Sequence, residues 1–367
     1  MSIASTPGVD KNATSVFSQI STMDHEQVVF CFDQPTGLKA IIAIHNTILG
    51  PALGGTRFWN YSSEQEALRD ALRLSRGMTY KASITGLHLG GGKAVIIGDA
   101  RKDKSEALFR RYGQFVNSLN GRYITAEDVG TTSADMEWIG RETRFVTGLP
   151  EYLGGGGDPS PFTAYGVYLG MKAAAKEAYG SDNLSGKKVM VQGVGHVGEY
   201  LVEHLHKEGA IIYVTDIYED RMQAVSSRFN VITVSPEEVF NVSVDIYAPC
   251  ALGGTLNDET IPRLRCQIVA GAANNQLEDE TEHGQMLMDS GILYAPDFVI
   301  NAGGLINVAS EWEGYSRERS MAQCERIYDR TLEIFRLAKS KNIPTAKAAQ
   351  LLAEERIRKI AAIHARR

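Results

Sequence analysis

The stretch KVMVQGVGHVG, residues 188–198, decides the fold of this chain. Its apolar start, 188–192, predicts a β-strand, residues 197–208 have helical spacing, and 211–215 predict a second strand. The glycines between the first strand and the helix follow the pattern G-x-G-x-x-G, which is a dinucleotide-binding fingerprint only in this strand-to-helix context. The sequence therefore predicts a β-α-β unit of a doubly wound parallel sheet.

The residues of this turn suit the groups of a dinucleotide. Gly193 permits the tight turn, Gly195 lets a pyrophosphate approach the backbone, and the helix N-terminus offers N–H donors. Asp216 ends the next strand, where an acidic residue can bind ribose hydroxyls and would repel a 2′-phosphate, so we expect NAD rather than NADP. The alternative is a strand–helix turn with incidental glycines. The predicted cofactor-binding residues here are Gly193, Val194, Gly195, His196, Gly198 and Asp216.

Strand and helix signals continue on both sides of this unit. Further strand candidates lie at 231–234, 245–248, 267–270 and 292–295, and two long amphipathic helices follow from about residue 317. The run LGGGGDPSP at 153–161 cannot form a regular element, so it marks a boundary, and its glycines are a candidate hinge. We expect two α/β domains separated by a cleft. Residues 1–149 with the C-terminal helix at about 341–367 are predicted to bind substrate, catalyse and oligomerise, and 150–340 to form a Rossmann NAD-binding domain.

Composition excludes several classes of protein. With 38 Lys and Arg against 44 Asp and Glu the net charge is −6, which argues against nucleic-acid binding. No run of about 18 apolar residues predicts a membrane span. The 4 cysteines are scattered, and no signal-peptide pattern opens the chain, so we expect a cytoplasmic protein. No zinc-binding H-E-x-x-H occurs, so we expect no metal. Glycine is enriched, at 36 of 367 residues, and it is clustered.

One cluster precedes a lysine in LHLGGGKA, residues 87–94. It is not a Walker A loop, because Leu87 stands where that motif has its first glycine and Ala94 stands where it has a serine or threonine. Burial disfavours the charged form of an amine, so a lysine held next to a buried strand can act as a base. Lys81 lies twelve residues before Lys93, and two lysines in one site could divide charge and base roles. The alternative is a pair of exposed surface lysines.

Four other motifs suggest ligand contacts. TAEDVGT at 125–131 could place an acid in a cleft, although the acid could also be a helix N-cap or an ordinary loop residue. GPALGGTR at 50–57 could leave room for a ligand carboxylate, or form a turn. GAANNQ at 271–276 and INAGGLINV at 300–308 follow predicted strands, where amides can bind a ribose or a carboxamide. Asn and Gly are also common in plain turns.

Together these motifs resemble the Glu/Leu/Phe/Val amino-acid dehydrogenase family, and they are closest to its leucine-specific members. The resemblance runs from about His25 to the C-terminal helices, and MTYKASITGLHLGGGKAVIIGD at 78–99 is among its most specific parts. It implies NAD-dependent, reversible oxidative deamination of a neutral L-amino acid to a 2-oxo acid and ammonium. It also implies a homo-oligomer, from dimer to octamer.

By this resemblance Lys93 is the catalytic lysine, and Asp128 assists proton transfer at the substrate nitrogen. Lys81 binds the substrate carboxylate beside the backbone of Gly54 and Gly55. The residues expected at the nicotinamide end of the cofactor are Thr163, Asn274, Asn275 and Asn301. The expected lining of the side-chain pocket is Leu53, Ala126, Leu305 and Val308.

The pocket residues imply an apolar substrate. Glutamate-specific relatives carry a lysine where Leu53 stands, so leucine, isoleucine or valine is expected, with leucine preferred. Ala126 is typical of the leucine group, whereas Leu305 also occurs in phenylalanine dehydrogenases, which keeps phenylalanine as an alternative. Two further alternatives are a Rossmann binding protein without catalysis and a hydride-transfer enzyme acting on a hydroxy acid.

Overall fold

The structure is a computed structural model, and it describes residues 15–365. The chain divides into two compact units. The first comprises Met1–Gly157, Glu311–Tyr315 and Ile357–Arg367, and the second comprises Asp158–Ser310 and Ser316–Arg356. The predicted domains assign about 341–367 to the first domain, whereas most of that segment falls in the second unit. The first predicted domain also includes residues 1–14 and 366–367, which lie outside the described part of the chain.

A mixed β-sheet forms the centre of the first unit. Its strands are β1 (Gln27–Asp33), β2 (Leu38–Asn46), β3 (Ala52–Trp59), β4 (Gly90–Ile97) and β5 (Tyr123–Glu127), in the order β1-β2-β4-β3-β5. The helices are α1 (Val16–Met23), α2 (Glu64–Ile84), α3 (Glu106–Ser118) and α4 (Ser133–Gly140). Strand β3 is parallel to both β4 and β5, while β1 and β4 are antiparallel to β2. The carboxyl ends of β3 and β5 therefore meet at one edge of the sheet.

The second unit contains a parallel sheet. Its strands are β6 (Lys188–Gln192), β7 (Ile211–Thr215), β8 (Val231–Thr233), β9 (Ile246–Pro249), β10 (Ile268–Val269) and β11 (Leu293–Tyr294). The order is β11-β10-β9-β6-β7-β8, so the chain order reverses between β6 and β9. This is the strand order of a dinucleotide-binding Rossmann fold, in which ligands bind at the reversal point.

Helices connect and extend this second sheet. They are α5 (Ser160–Tyr179), α6 (His196–Glu208), α7 (Glu219–Arg228), α8 (Glu282–Asp289), α9 (Asp297–Ile300), α10 (Gly303–Trp312), α11 (Arg317–Lys341) and α12 (Thr345–His364). Helices α10 and α12 each contribute residues to both units. Across residues 15–365, no helix is both long and apolar enough to cross a membrane.

The predicted β-α-β unit is confirmed at β6, α6 and β7, because hydrophobic alternation and the glycine turn are local signals. The alternative of a turn at Gly54 and Gly55 is wrong, because both glycines lie within β3. Gly90 to Gly92 lie within β4, so the glycine cluster before Lys93 is part of the strand. Glycine weakens a strand unless neighbouring backbone comes close.

Close packing explains these strand glycines. A Cβ atom added to Gly91 would lie 2.1 Å from the backbone nitrogen of Thr79, so α2 rests directly on β4. One added to Gly54 would lie 1.7 Å from the carbonyl oxygen of Gly92 on the neighbouring strand. Helix α2 begins at the N-cap Ser63, whose side chain accepts the N–H of Glu66. These contacts fix the helix and strand that carry Lys81 and Lys93.

Candidate functional site

Lys93 and Asp128 form an ion pair in the first unit. Lys93 lies within β4 and is 6% exposed, and Asp128 follows the last residue of β5. Strand β3 lies between these two strands, and the Nζ atom of Lys93 reaches the Oδ2 atom of Asp128 at 2.7 Å. The structure thus brings together the two residues predicted to be catalytic. It places a proton donor and a proton acceptor in contact, which is the requirement for acid–base chemistry.

A second cation contacts the same carboxylate. The Nε atom of Arg57, on β3, lies 3.3 Å from Asp128 Oδ2. Burial raises the pKa of Asp128, but the charges of Lys93 and Arg57 outweigh burial and hold that pKa below its ordinary value. Asp128 is therefore an ionised base at neutral pH. Arg57 stands in the motif GPALGGTR, and no role was predicted for it.

The loop after β5 is held by a threonine. The hydroxyl of Thr131 accepts the backbone N–H of Asp128 at 2.9 Å and lies 2.9 Å from the carbonyl oxygen of Thr56, to which it donates. This ties the loop to β3 and fixes the direction of the carboxylate. Thr131 is part of TAEDVGT, so the motif contains both Asp128 and the threonine that holds its backbone in place. The alternative that the acid is a helix N-cap is wrong, because Thr132 is the N-cap of α4 and Asp128 lies in the loop after β5.

The paired glycines of β3 are enclosed by the chain itself. A Cβ atom on Gly55 would lie 2.4 Å from the carbonyl oxygen of Glu127 and 2.8 Å from the Cβ atom of Asp128. The hydroxyl of Tyr123 donates to the carbonyl oxygen of Gly54 at 2.6 Å. Strand packing alone therefore accounts for both glycines. Their predicted contact with a substrate carboxylate stays a prediction.

The other predicted substrate residues fall in both units. Lys81 is half-buried in the last turn of α2, the helix that packs on β4. Leu53 on β3 and Ala126 on β5 are buried, with 2% and 5% of their surface exposed. Leu305 and Val308 are half-buried, and they share one face of α10 because they are three positions apart.

The glycine turn of the second unit has the geometry that a dinucleotide requires. Gly193 has a positive φ of 98°, and a Cβ atom on Gly198 would lie 2.0 Å from the carbonyl oxygen of Gly193. Gly195 is the N-cap of α6, and an added methyl there would have only the guanidinium of Arg221 nearby, at 3.7 Å. Two of the glycines are thus needed by the fold, whereas Gly195 leaves open space in front of a helix N-terminus. That open space suits a pyrophosphate.

Asp216 and the turn are joined directly. One carboxylate oxygen of Asp216 accepts the backbone N–H of Val194 at 2.8 Å, and the other accepts that of Tyr218 at 3.0 Å. His196 is the first residue of α6. The acid therefore lies beside the turn, at the end of β7, as the fingerprint predicts.

The predicted nicotinamide residues share one unit. The Nδ2 atom of Asn301 donates to the carbonyl oxygen of Ala272 at 3.1 Å and to the Oδ1 atom of Asn274 at 2.9 Å. The Oδ1 atom of Asn301 is buried and accepts no hydrogen bond. A buried acceptor without a donor fits an amide ligand such as a carboxamide. Asn301 follows helix α9 rather than a strand, so that part of the expectation was wrong.

Thr163 and Asn275 complete this set. The hydroxyl of Thr163, on α5, donates to the carbonyl oxygen of Pro159 at 3.1 Å, and Asn275 is exposed with a φ of 52°.

Over the described range, 15–365, no group of three His, Cys, Asp or Glu side chains could hold a metal ion.

Two family models match the chain. A family model described as Glu/Leu/Phe/Val dehydrogenase, dimerisation domain, matches residues 25–145. A second model, described as Glutamate/Leucine/Phenylalanine/Valine dehydrogenase, matches residues 154–365.

Curated and solved relatives cover nearly the whole chain. The leucine dehydrogenase of Geobacillus stearothermophilus is 60% identical over 93% of both chains. The valine dehydrogenase of Streptomyces coelicolor is 53% identical over 91% of this chain and 92% of that protein. The crystal structure of L-tryptophan dehydrogenase from Nostoc punctiforme superposes with a TM-score of 0.84 at 49% identity, covering 94% of this chain and 99% of that chain. The chain therefore belongs to the glutamate/leucine/phenylalanine/valine dehydrogenase family.

Proposed function

We propose that this protein catalyses the reversible, NAD-dependent oxidative deamination of a branched-chain L-amino acid, with leucine preferred over valine and isoleucine. The products are the 2-oxo acid and ammonium. The observation that carries the proposal is the buried contact of 2.7 Å between Lys93 and Asp128. Withdrawing two opposite charges from water costs desolvation energy and adds little stability, so the pair supports a chemical role for these residues.

Each residue of the first unit has a proposed task. Lys81 holds the substrate carboxylate beside the backbone of Gly54 and Gly55. Lys93 takes a proton from the water that adds to the carbon of the imine, and as an ammonium it polarises the new oxygen. When the carbon–nitrogen bond breaks, the nitrogen leaves with the proton that Asp128 returns to it. The hydroxyl proton passes to the departing ammonia, which leaves as ammonium, and Lys93 then releases its own proton to solvent. Asp128 exchanges protons with the substrate nitrogen, and its depressed pKa keeps it ready to accept one.

The cofactor residues fit NAD. The open N-terminus of α6 at Gly195 would hold the pyrophosphate, Asp216 the ribose hydroxyls, and Asn301 the carboxamide. Val194, His196 and Thr163, with Asn274 and Asn275, complete the proposed cofactor set. A bound nicotinamide supplies the acceptor for the hydride of the substrate Cα atom. The carboxylate of Asp216 disfavours a 2′-phosphate, so NAD is proposed over NADP.

An uncharged pocket supports an apolar substrate. Leu53 and Ala126 offer no charge to a distal carboxylate, and Leu305 with Val308 would complete the lining. A pocket distinguishes substrates differing by one methylene by only about 1–3 kcal/mol, so overlap among leucine, valine and isoleucine is expected. Leu305 supports phenylalanine as the second candidate. A homo-oligomer in the cytoplasm remains our proposal, supported by the dimerisation-domain description of the first family model.

The test is a substrate panel followed by NADH absorbance. We expect turnover with L-leucine, L-isoleucine and L-valine and NAD⁺, little with NADP⁺, and none with L-glutamate or the corresponding 2-hydroxy acids. Leu53→Lys should weaken leucine turnover by placing a charge in the pocket, whereas the matched variant Leu53→Met should retain it. Turnover of hydroxy acids alone would overturn the proposal, and a preference for L-phenylalanine would select the second candidate.

A further inference from the structure

Arg57 is fixed behind the proposed catalytic pair. Its Nε atom lies 3.3 Å from Asp128, and its Nη1 atom lies 2.9 Å from the Oδ2 atom of Asp70 on α2. The hydroxyl of Tyr61 donates to that same Asp70 oxygen at 2.7 Å. Only 23% of the Arg57 side chain and 14% of the Asp70 side chain are exposed. Lys93, Asp128, Arg57 and Asp70 thus form a row of alternating charges that begins at a strand and ends on a helix.

The proposed reaction needs a permanent cation beside Asp128. Lys93 must lose its proton at one step and regain it at another, and while it is neutral it no longer balances the carboxylate. A buried carboxylate without a counter-charge is costly and tends to take up a proton. Arginine keeps its charge throughout the range in which proteins fold. Arg57 therefore supplies at all times the counter-charge that Lys93 supplies only part of the time.

We propose that Arg57 is a positioning residue that keeps Asp128 ionised through the catalytic cycle, and that Asp70 anchors Arg57 and limits the strength of its field. The inference rests on the proposed function for its catalytic meaning. Its geometry, however, belongs to the first unit alone. Asp70 accepts from Arg57, Tyr61 and Arg73, the last at 3.4 Å, so its carboxylate is held by three donors.

Two tyrosines near Asp128 and its partners stay uncharged. Tyr123 on β5 is buried, and burial raises its pKa to about 12, so it stays neutral. Burial likewise raises the pKa of Tyr61, which stays a hydrogen-bond donor. The titratable groups around Asp128, Arg57 and Asp70 include Lys93 on β4, Arg73 on α2, Tyr61 before α2 and Tyr123 on β5. Within residues 15–365, Lys93 and Arg57 are cations in direct contact with the Asp128 carboxylate.

The experiment compares pH profiles of kcat/KM for L-leucine in the wild type and in variants of Arg57, Asp70 and Arg73. Removing a cation in Arg57→Gln makes protonation of Asp128 easier, so the acidic limb of the profile moves up by about one pH unit. Asp70→Asn removes the anion that balances Arg57, so the limb moves down. Arg73→Gln is the matched control, because Arg73 is a surface arginine on the same Asp70 carboxylate, and its profile should equal that of the wild type.

Opposite shifts separate an electrostatic role from a structural one. If Arg57 only braced the fold, Arg57→Gln and Asp70→Asn would both lower kcat at every pH, without moving the limb, and the inference would be wrong. Arg57→Lys keeps the charge and should restore the wild-type limb. If Arg57→Gln does not fold, as judged by thermal unfolding, the downward shift of Asp70→Asn decides the question.

A readout without catalysis separates this inference from the proposed function. The difference infrared spectrum between the wild type and Asp128→Asn reports the pH at which that carboxylate takes its proton. The same difference on the Arg57→Gln background should show protonation about one pH unit higher. An unchanged infrared titration would overturn the role of Arg57 even if leucine is the substrate. A shifted titration in a protein inactive on amino acids would instead overturn the proposed function.

Discussion

Replacing Asp128 by asparagine tests the buried ion pair with the smallest change of shape. The variant loses attractions over 2.7 Å to Lys93 and 3.3 Å to Arg57. At an effective dielectric constant of about 20, these correspond to gross energies of about 6 and about 5 kcal/mol. Desolvation of the carboxylate opposes them, and 21% of its side chain is exposed. We expect a net loss of about 3 kcal/mol, at the low end for breaking a buried pair.

Thermal unfolding measures this loss. For a chain of 367 residues that unfolds as a whole, about 3 kcal/mol lowers Tm by about 4 °C. The control is Glu106→Gln, which removes a surface pair with Arg110 whose side chains are 56% and 46% exposed. Such pairs contribute about 0–1 kcal/mol, so its Tm should change by about 1 °C or less.

The pH dependence of the Tm difference between the wild type and Asp128→Asn provides a second test of this ion pair. The pKa of Asp128 in the folded protein lies below its ordinary value of 3.8. The stability contributed by its ionised form is therefore complete above that value and is lost only as the pH falls through the lower, folded-state pKa. The Tm gap between the wild type and Asp128→Asn should be equal at pH ~7 and pH ~5. A gap under about 1 °C, or one that closes between these pH values, would refute the reasoning.

Three other predictions follow from burial and close contacts. Burial lowers the pKa of His25 to about 4 and that of His45 to about 3. Each histidine should therefore lower the free energy of unfolding by about 2 kcal/mol as the pH falls from about 6.5 to about 5. His45→Gln should reduce this loss when thermal unfolding is measured over the same pH range. Gly91→Ala should lower the free energy of unfolding by about 1–3 kcal/mol or more, because the added methyl on β4 would lie 2.1 Å from the backbone of α2. The control is Gly77→Ala within α2, where the methyl meets open space, and it should raise the free energy of unfolding by about 0.5–1 kcal/mol. Gly195→Ala should change stability by less than about 1 kcal/mol but weaken NAD⁺ binding in calorimetry at least about tenfold; unchanged binding would show that the turn does not hold the cofactor.

Local signals in the sequence predicted the second unit well. Strands β6 and β7 have the predicted bounds, and Gly193 with its positive φ begins the turn where the fingerprint places it. The first unit was harder, because β3 and β4 contain glycines that a single sequence assigns to turns. Their strand conformation depends on contacts with residues far along the chain, such as Gly91 against Thr79, which no local pattern shows.

The candidate site divides in the same way. Lys93 and Asp128 were predicted as a pair by resemblance, and the structure adds the contact between them. Arg57 could not be predicted, because its partners Asp70 and Asp128 are 13 and 71 positions away and join it only when β3, α2 and β5 have assembled. A charged residue two positions after the paired glycines, in the otherwise uncharged strand β3, is the signal that could have pointed to it.

Lys93 and Asp128 are proposed to carry out together the deamination of a branched-chain amino acid. The most direct test measures NADH formation from L-leucine and NAD⁺ by the wild type and Lys93→Ala, with NAD⁺ binding measured in parallel by calorimetry. We predict rapid turnover by the wild type, and a loss of at least about a hundredfold in Lys93→Ala with unchanged NAD⁺ affinity. Equal turnover by the two proteins would contradict the claim.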